Sequence, residues 1–244
     1  MDMFESATLK FISERTLLVE YGDVLDDAIY QQVLSLDHAL NSSKYAVHLE
    51  TLPSFRSLMI QFDAFALSHQ DLLDILSELN AQVLTLTSTH WRGPICFDPD
   101  CAEDLQEAAD RLEMNTQQLI STLLATPLKL YMYGFAPGFA YFGGLHPSLH
   151  IPRRATPRAP MPENALMIAG GLASLTSVSL PTGWYVLGRT PLTMFSAQRQ
   201  PMVPFAVGDS IHLYEVSLAA FDELSSRGDA LDMIQPVVSS RHRT

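Results

Sequence analysis

Glycine and proline are spread so unevenly along this chain that one uniform architecture is ruled out. The first 126 of 244 residues hold two glycines and three prolines, whereas residues 127–208 hold nine and eleven. These residues break helices and mark turns, so a helix-bearing first part followed by turn-rich β structure is expected. Charge divides at the same place: residues 1–126 carry 20 acidic and 6 basic side chains, residues 127–244 carry 7 and 9. The net charge of −12 repels phosphate backbones and argues against a general nucleic-acid binder. At 47% hydrophobic and 17% charged residues the chain has ample core material and is not disordered in composition. No apolar run approaches about 18 residues, so no membrane span is expected. The acidic start lacks an apolar signal core, which points to a cytoplasmic protein. Cys96 and Cys101 are the only cysteines, too few for a disulfide scaffold or a thiolate zinc site.

Hydrophobic spacing sets the coarse order of elements. Residues 16–21 read as a strand ending at Gly22-Asp23. Leu25, Ala28, Ile29, Val33, Leu36 and Leu40 then fall on one helical face. Residues 45–49 and 55–62 read as strands on either side of Pro53. Ser68 and Asp71 form a capping pair for a helix that buries Leu72, Leu73, Leu76 and Leu79. A strand over residues 83–86 completes β-α-β-β-α-β, the ferredoxin-like sandwich, which by itself predicts no function. Beyond a link at residues 89–94, residues 95–97 form a short strand. Asp100 with Glu103 reads as an N-cap and its N3 partner, before an apolar stripe of Leu105, Ala108, Ala109 and Leu112. Asn115 and Gln118 open a further helix through Leu124, and strands and turns follow from Leu128. The seven carboxylates of residues 98–113 read as a solvated helix face. The chain is thus expected to be α+β, with domains at 1–90 and 91–244.

The most distinctive stretch runs from Tyr131 to Leu145, where glycines flank aromatics around Pro137-Gly138. Pro fixes φ and Gly accepts positive φ, so this pair predicts a type II turn. Such a loop displays Phe135, Phe139 and Tyr141 on a stiff frame, either as core aromatics or as the wall of a pocket or interface. The second feature is cationic. Residues 147–208 carry Arg153, Arg154, Arg158, Arg189 and Arg199 against the single acid Glu163. Arginine forks suit carboxylate or phosphate, so Arg154, Arg158 and Arg189 are candidates for holding an anionic substrate group. The structural alternative is docking on acidic residues of the first part or of another chain.

These segments, in this order, resemble the family of the 5-oxoprolinase B subunit, also called allophanate hydrolase subunit 1 or the KipI family. The matching pieces are residues 131–145, the run Ile151-Pro152-Arg153-Arg154-Ala155-Thr156-Pro157-Arg158, then Ile168-Ala169-Gly170 and Gly183-Trp184. Leu187-Gly188-Arg189-Thr190-Pro191-Leu192 and Val207-Gly208-Asp209-Ser210-Ile211 complete them. The resemblance implies a ferredoxin-like domain followed by a cyclophilin-like β-barrel domain. It also implies two partners, a carboxyltransferase-like C subunit and a LamB/YcsF-like A subunit. With them the family forms an ATP-dependent enzyme that opens 5-oxoproline to glutamate, the ATP being used by the complex and not necessarily bound by this chain. A different branch inhibits a sensor histidine kinase. The candidate binding residues are Phe135, Pro137, Gly138, Phe139, Tyr141, Arg154, Thr156, Arg158, Gly183, Trp184, Arg189 and Thr190. Phe135, Pro137, Phe139 and Trp184 would shape an apolar wall. The sequence departs from the family at Phe97-Asp98-Pro99-Asp100, Leu123-Leu124-Ala125, residues 172–177 and Pro181-Thr182-Gly183-Trp184, losing a histidine and a glutamine.

Other chemistries find no support. No phosphate loop, H-E-x-x-H pair or G-x-S-x-G elbow occurs. His146 and His150 are separated by Pro147, which spoils a helical metal pair. The acids beside Cys96 and Cys101 disfavour a thiolate, and no general base stands beside the motifs. A proline-isomerase function would rest on fold analogy alone.

Overall fold

The computed structural model describes residues 7–79, 88–229 and 231–237. The chain divides into two compact units, residues 1–86 and 87–244, each with its own core.

Unit 1 is an antiparallel sheet with helices on one face. Its strands are β1 (Ala7–Ser13), β2 (Thr16–Tyr21), β3 (Leu49–Pro53) and β4 (Ser57–Phe62), in the order β1-β2-β4-β3. The inward residues Leu17, Val19 and Tyr21 of β2, with Leu58, Ile60 and Phe62 of β4, alternate with more exposed ones, as a half-buried sheet requires. Val33, Leu36 and Leu40 of α1 (Asp27–Asn41), with Leu72, Ile75 and Leu76 of α2 (His69–Glu78), fill that face. The Ser68–Asp71 pair closes a complete capping box: each side chain bonds the other residue's backbone N–H. Two details correct the sequence expectations. Residues 46–48 form a 3-10 turn, and the strand begins only at Leu49. The sheet also carries β1, which residue spacing did not reveal. It is an edge strand, exposed over nearly all its length, so it lacks the alternation that marks a buried face. The strand expected over residues 83–86 lies outside the described residues.

Unit 2 is a closed barrel. Its strands are β5 (His90–Cys96), β6 (Leu128–Tyr133), β7 (Ala140–Gly143), β9 (Ala165–Ala169), β10 (Leu172–Leu175), β12 (Tyr185–Arg189) and β13 (Ser210–Val216). They run β12-β9-β10-β7-β6-β13-β5, and the pair Arg189↔Cys96 joins β12 back to β5. Gly188 permits that closure, since a Cβ there would lie 2.7 Å from the Cys96 carbonyl oxygen. The short hairpin of β8 (Arg158–Met161) and β11 (Leu180–Thr182) stands apart, and β14 (Gln235–Pro236) extends the sheet beside β5. Helices α3 (Leu105–Arg111) and α4 (Thr116–Ala125) join the barrel core, and α5 (Leu218–Ser226) follows β13. Asn115 and Gln118 form the expected capping box of α4. The N-cap of α3 is Asp104, not Asp100, because the chain turns at Asp98–Cys101 before the helix starts.

Strands β9 and β12 are buried on both faces. Leu166, Ile168, Tyr185 and Leu187 enter the main core. Their alternating neighbours Ala165, Met167, Ala169, Trp184 and Val186 form a second, smaller core with Phe139 and Met161. That second core is the base of the cleft described next. The α+β class, with a helix-covered antiparallel sheet preceding a closed barrel, is the one expected. No helix among the described residues is long and apolar enough to cross a membrane.

Candidate active-site cleft

The loop between β6 and β7 is stiffened by its own backbone. The Phe139 N–H donates to Ala136 O at 3.0 Å, and Gly138 has φ +72°, so Pro137-Gly138 forms the expected type II turn. One turn earlier, the Ala136 N–H donates to Gly134 O at 2.9 Å around Phe135, whose φ is +70°. This is a γ-turn of the rare, strained hand, and it holds the Phe135 ring 77% exposed. A Cβ on Gly138 would come within 2.5 Å of Phe195 Cβ, so glycine is required there for space as well as for conformation.

Four aromatic rings then form a row. Phe135 meets Phe139 at 5.5 Å between centroids, Phe139 meets Tyr141 at 5.0 Å, and Tyr141 meets Trp184 at 6.0 Å. The Arg153 guanidinium ends the row, 5.4 Å from the Trp184 ring centre. These side chains, with Arg154, Met167, Leu180, Thr182 and Gly183 among others, line a cleft of about 290 Å³. Among the described residues no histidine, cysteine or carboxylate lines it. Burial pushes the Tyr141 hydroxyl above the usual phenol range, and the nearby Arg153 charge partly opposes that shift.

Two backbone contacts fix the rim. The Arg154 N–H donates to Gly183 O at 2.8 Å, and the Trp184 N–H donates to Thr182 Oγ1 at 3.0 Å. The arginines converge, but on the chain's own acids. Asp104, 1% exposed, receives Arg154 Nη2 at 2.7 Å and pairs with Arg158 through the same oxygen, Oδ1. Its Oδ2 receives the Val186 N–H at 2.9 Å. Glu107 takes Arg154 in a two-pronged contact at 2.9 and 2.6 Å, and Glu103 pairs with Arg189. The Arg154 hydrogen bond holds the Glu107 carboxyl below the usual range. The acidic stretch before and into α3 is therefore not simply a solvated face, since it anchors three arginines.

The candidate residues thus separate into groups. Phe135, Phe139, Tyr141, Arg154, Gly183 and Trp184 line the cleft. Gly138 shapes the turn, and Pro137 and Thr156 are exposed beside the cleft without lining it. Arg158 and Arg189 do not line it and are held in ion pairs. Thr190 is fully buried, its N–H bonded to Asn164 O and its hydroxyl accepting the Leu192 N–H. Arg153, Met167 and Leu180 line the cleft without having been singled out. Arg153 stood in the cationic cluster, but sequence alone could not separate it from its paired neighbours. Cys96 and Cys101 are buried free thiols, and Cys101 is pushed up to about 12 chiefly by burial, with acidic neighbours only a minor cause.

Comparison with known proteins identifies the family. Residues 7–205 match the family described as carboxyltransferase domain, subdomain C and D. The 5-oxoprolinase B subunit of Bacillus subtilis (strain 168) is 24% identical over 220 residues, covering 84% of this chain and 91% of that protein. The 5-oxoprolinase B subunit of Haemophilus influenzae is 30% identical over 153 residues, covering 62% and 71%. The urea carboxylase of Kluyveromyces lactis superposes with a TM-score of 0.77 at 17% identity, over 95% of this chain and 24% of that longer one, a likeness of fold. The chain belongs to the carboxyltransferase subdomain C and D family, in its group of 5-oxoprolinase B subunits, allophanate hydrolase subunit 1 and KipI proteins.

Proposed function

We propose that the chain is the B subunit of an ATP-dependent 5-oxoprolinase, and that its ring-lined cleft is one wall of an active site completed by a carboxyltransferase-like C subunit. A LamB/YcsF-like A subunit completes the enzyme. The observation that carries this proposal is a cleft suited to a compact planar ring yet lacking, among the described residues, any carboxylate, histidine or cysteine in its lining. Opening a lactam needs an activated water and a proton for the leaving nitrogen. A wall without those groups suits a subunit that binds and orients while another chain supplies them. The relatives named as the B subunit of 5-oxoprolinase support the same reading. Mixing the purified chain with its two partner subunits, ATP and 5-oxoproline is expected to release glutamate only when all three chains are present. A stable complex that releases none would remove the enzymatic function.

Phe135 favours a second function. An aromatic ring held 77% exposed on a strained turn suits a protein-docking contact, as in a kinase inhibitor. In that case the chain would suppress autophosphorylation of a sensor histidine kinase, and Phe135→Ala would relieve the suppression.

A further inference from the structure

We propose that Arg153 is the anion receptor of the cleft and selects ligands that carry a carboxylate beside a flat, apolar ring. Sequence clustering pointed instead to Arg154, Arg158 and Arg189, but each of these guanidiniums already holds a carboxylate of the chain. Arg199, farther along, binds Asp229 and the carbonyls of Thr193, Pro201 and Met202. Among the described residues no carboxylate pairs with Arg153.

Charge points the same way. In the ion-paired cluster, Glu103, Asp104 and Glu107 hold Arg154, Arg158 and Arg189, with Arg111 also on Glu107, so each of these guanidiniums is already matched to a carboxylate of the chain. The described cleft lining contains no acid, which leaves Arg153 as its uncompensated cation. Geometry completes the case. The Arg153 guanidinium sits over Trp184 in a cation–π contact, 5.4 Å from the ring centre. The planar fork of N–H donors that arginine carries takes a carboxylate in two parallel hydrogen bonds. The loop behind it is fixed at one end by Arg154 N–H on Gly183 O and farther along by the Arg158–Asp104 pair, so little ordering is left for binding. The adjoining faces of Trp184, Tyr141 and Phe139 offer the apolar surface for the ring. At about 290 Å³ the cleft is at the small end of ligand sites, which run about 300–1,000 Å³.

This inference rests on the cleft being a substrate wall but not on which enzyme it serves. The test is calorimetric titration of the chain with 5-oxoproline and with 2-pyrrolidone, the same ring without its carboxylate. The same pair is then compared as substrate and competitor in the complex assembled with both partner subunits. Wild type is expected to prefer 5-oxoproline, and Arg153→Gln to weaken its binding about 10- to 100-fold while leaving 2-pyrrolidone within about twofold. Arg153→Lys should recover part of the loss, and near-ultraviolet circular dichroism should show each variant folded. If Arg153→Gln keeps the wild-type preference, or if neither the chain nor the complex distinguishes the two compounds, the assignment of Arg153 is wrong. If the complex releases no glutamate while the preference still depends on Arg153, the enzymatic function falls and the anion receptor stands.

Discussion

Asp104 accepts hydrogen bonds from two directions while only 1% exposed, with two guanidiniums on one oxygen and the Val186 N–H on the other. Removing one partner of a buried ion pair strands the others, which costs about 3–5 kcal/mol. Asp104→Ala should therefore lower unfolding free energy by that order in urea titrations, whereas Arg153→Gln, at an exposed position, should change it by about 0.5 kcal/mol or less. Glu107 gives the same cluster a pH dependence. Its folded carboxyl is held below the ordinary value, first by the Arg154 hydrogen bond. Its stabilising contribution is thus complete above the unfolded value and is lost as pH falls through the depressed folded one. Wild type should lose more stability than Glu107→Gln between neutral pH and about pH 3, and added salt should narrow the gap because Glu107 is partly exposed.

At the scale of elements, the caps and turns were readable because their chemistry is local. Asn115 and Gln118 satisfy each other's backbone donors at the start of α4. Asn115→Ala should cost about 1 kcal/mol, measurable by thermal unfolding. The type II turn at Pro137-Gly138 was likewise readable from two residues. Three other features were not. β1 pairs along an exposed edge without an apolar rhythm. The start of α3 moved from Asp100 to Asp104 because a turn at Asp98–Cys101 intervenes. The fate of the arginines depended on partners about 50 to 90 positions away, Asp104 and Glu107 for Arg154 and Glu103 for Arg189. Spacing along the chain carries no record of such pairings. What it did preserve was the row of rings, since Phe139 and Tyr141 are neighbours in one loop and strand.

Across the whole chain, two cores with separate residues mean two folding units. The fragment 87–244 should therefore fold alone, keeping a cooperative thermal transition and the near-ultraviolet signal of Trp91 and Trp184. A fragment that stays unfolded would show that the barrel needs the first unit. Arg189 links the barrel's closure to the acids ahead of α3. Its backbone pairs with Cys96 to join the first and last staves, while its guanidinium grips Glu103 just ahead of α3. One residue thus acts as both rivet and tether, holding the seam of the cylinder with its backbone and the approach to α3 with its side chain.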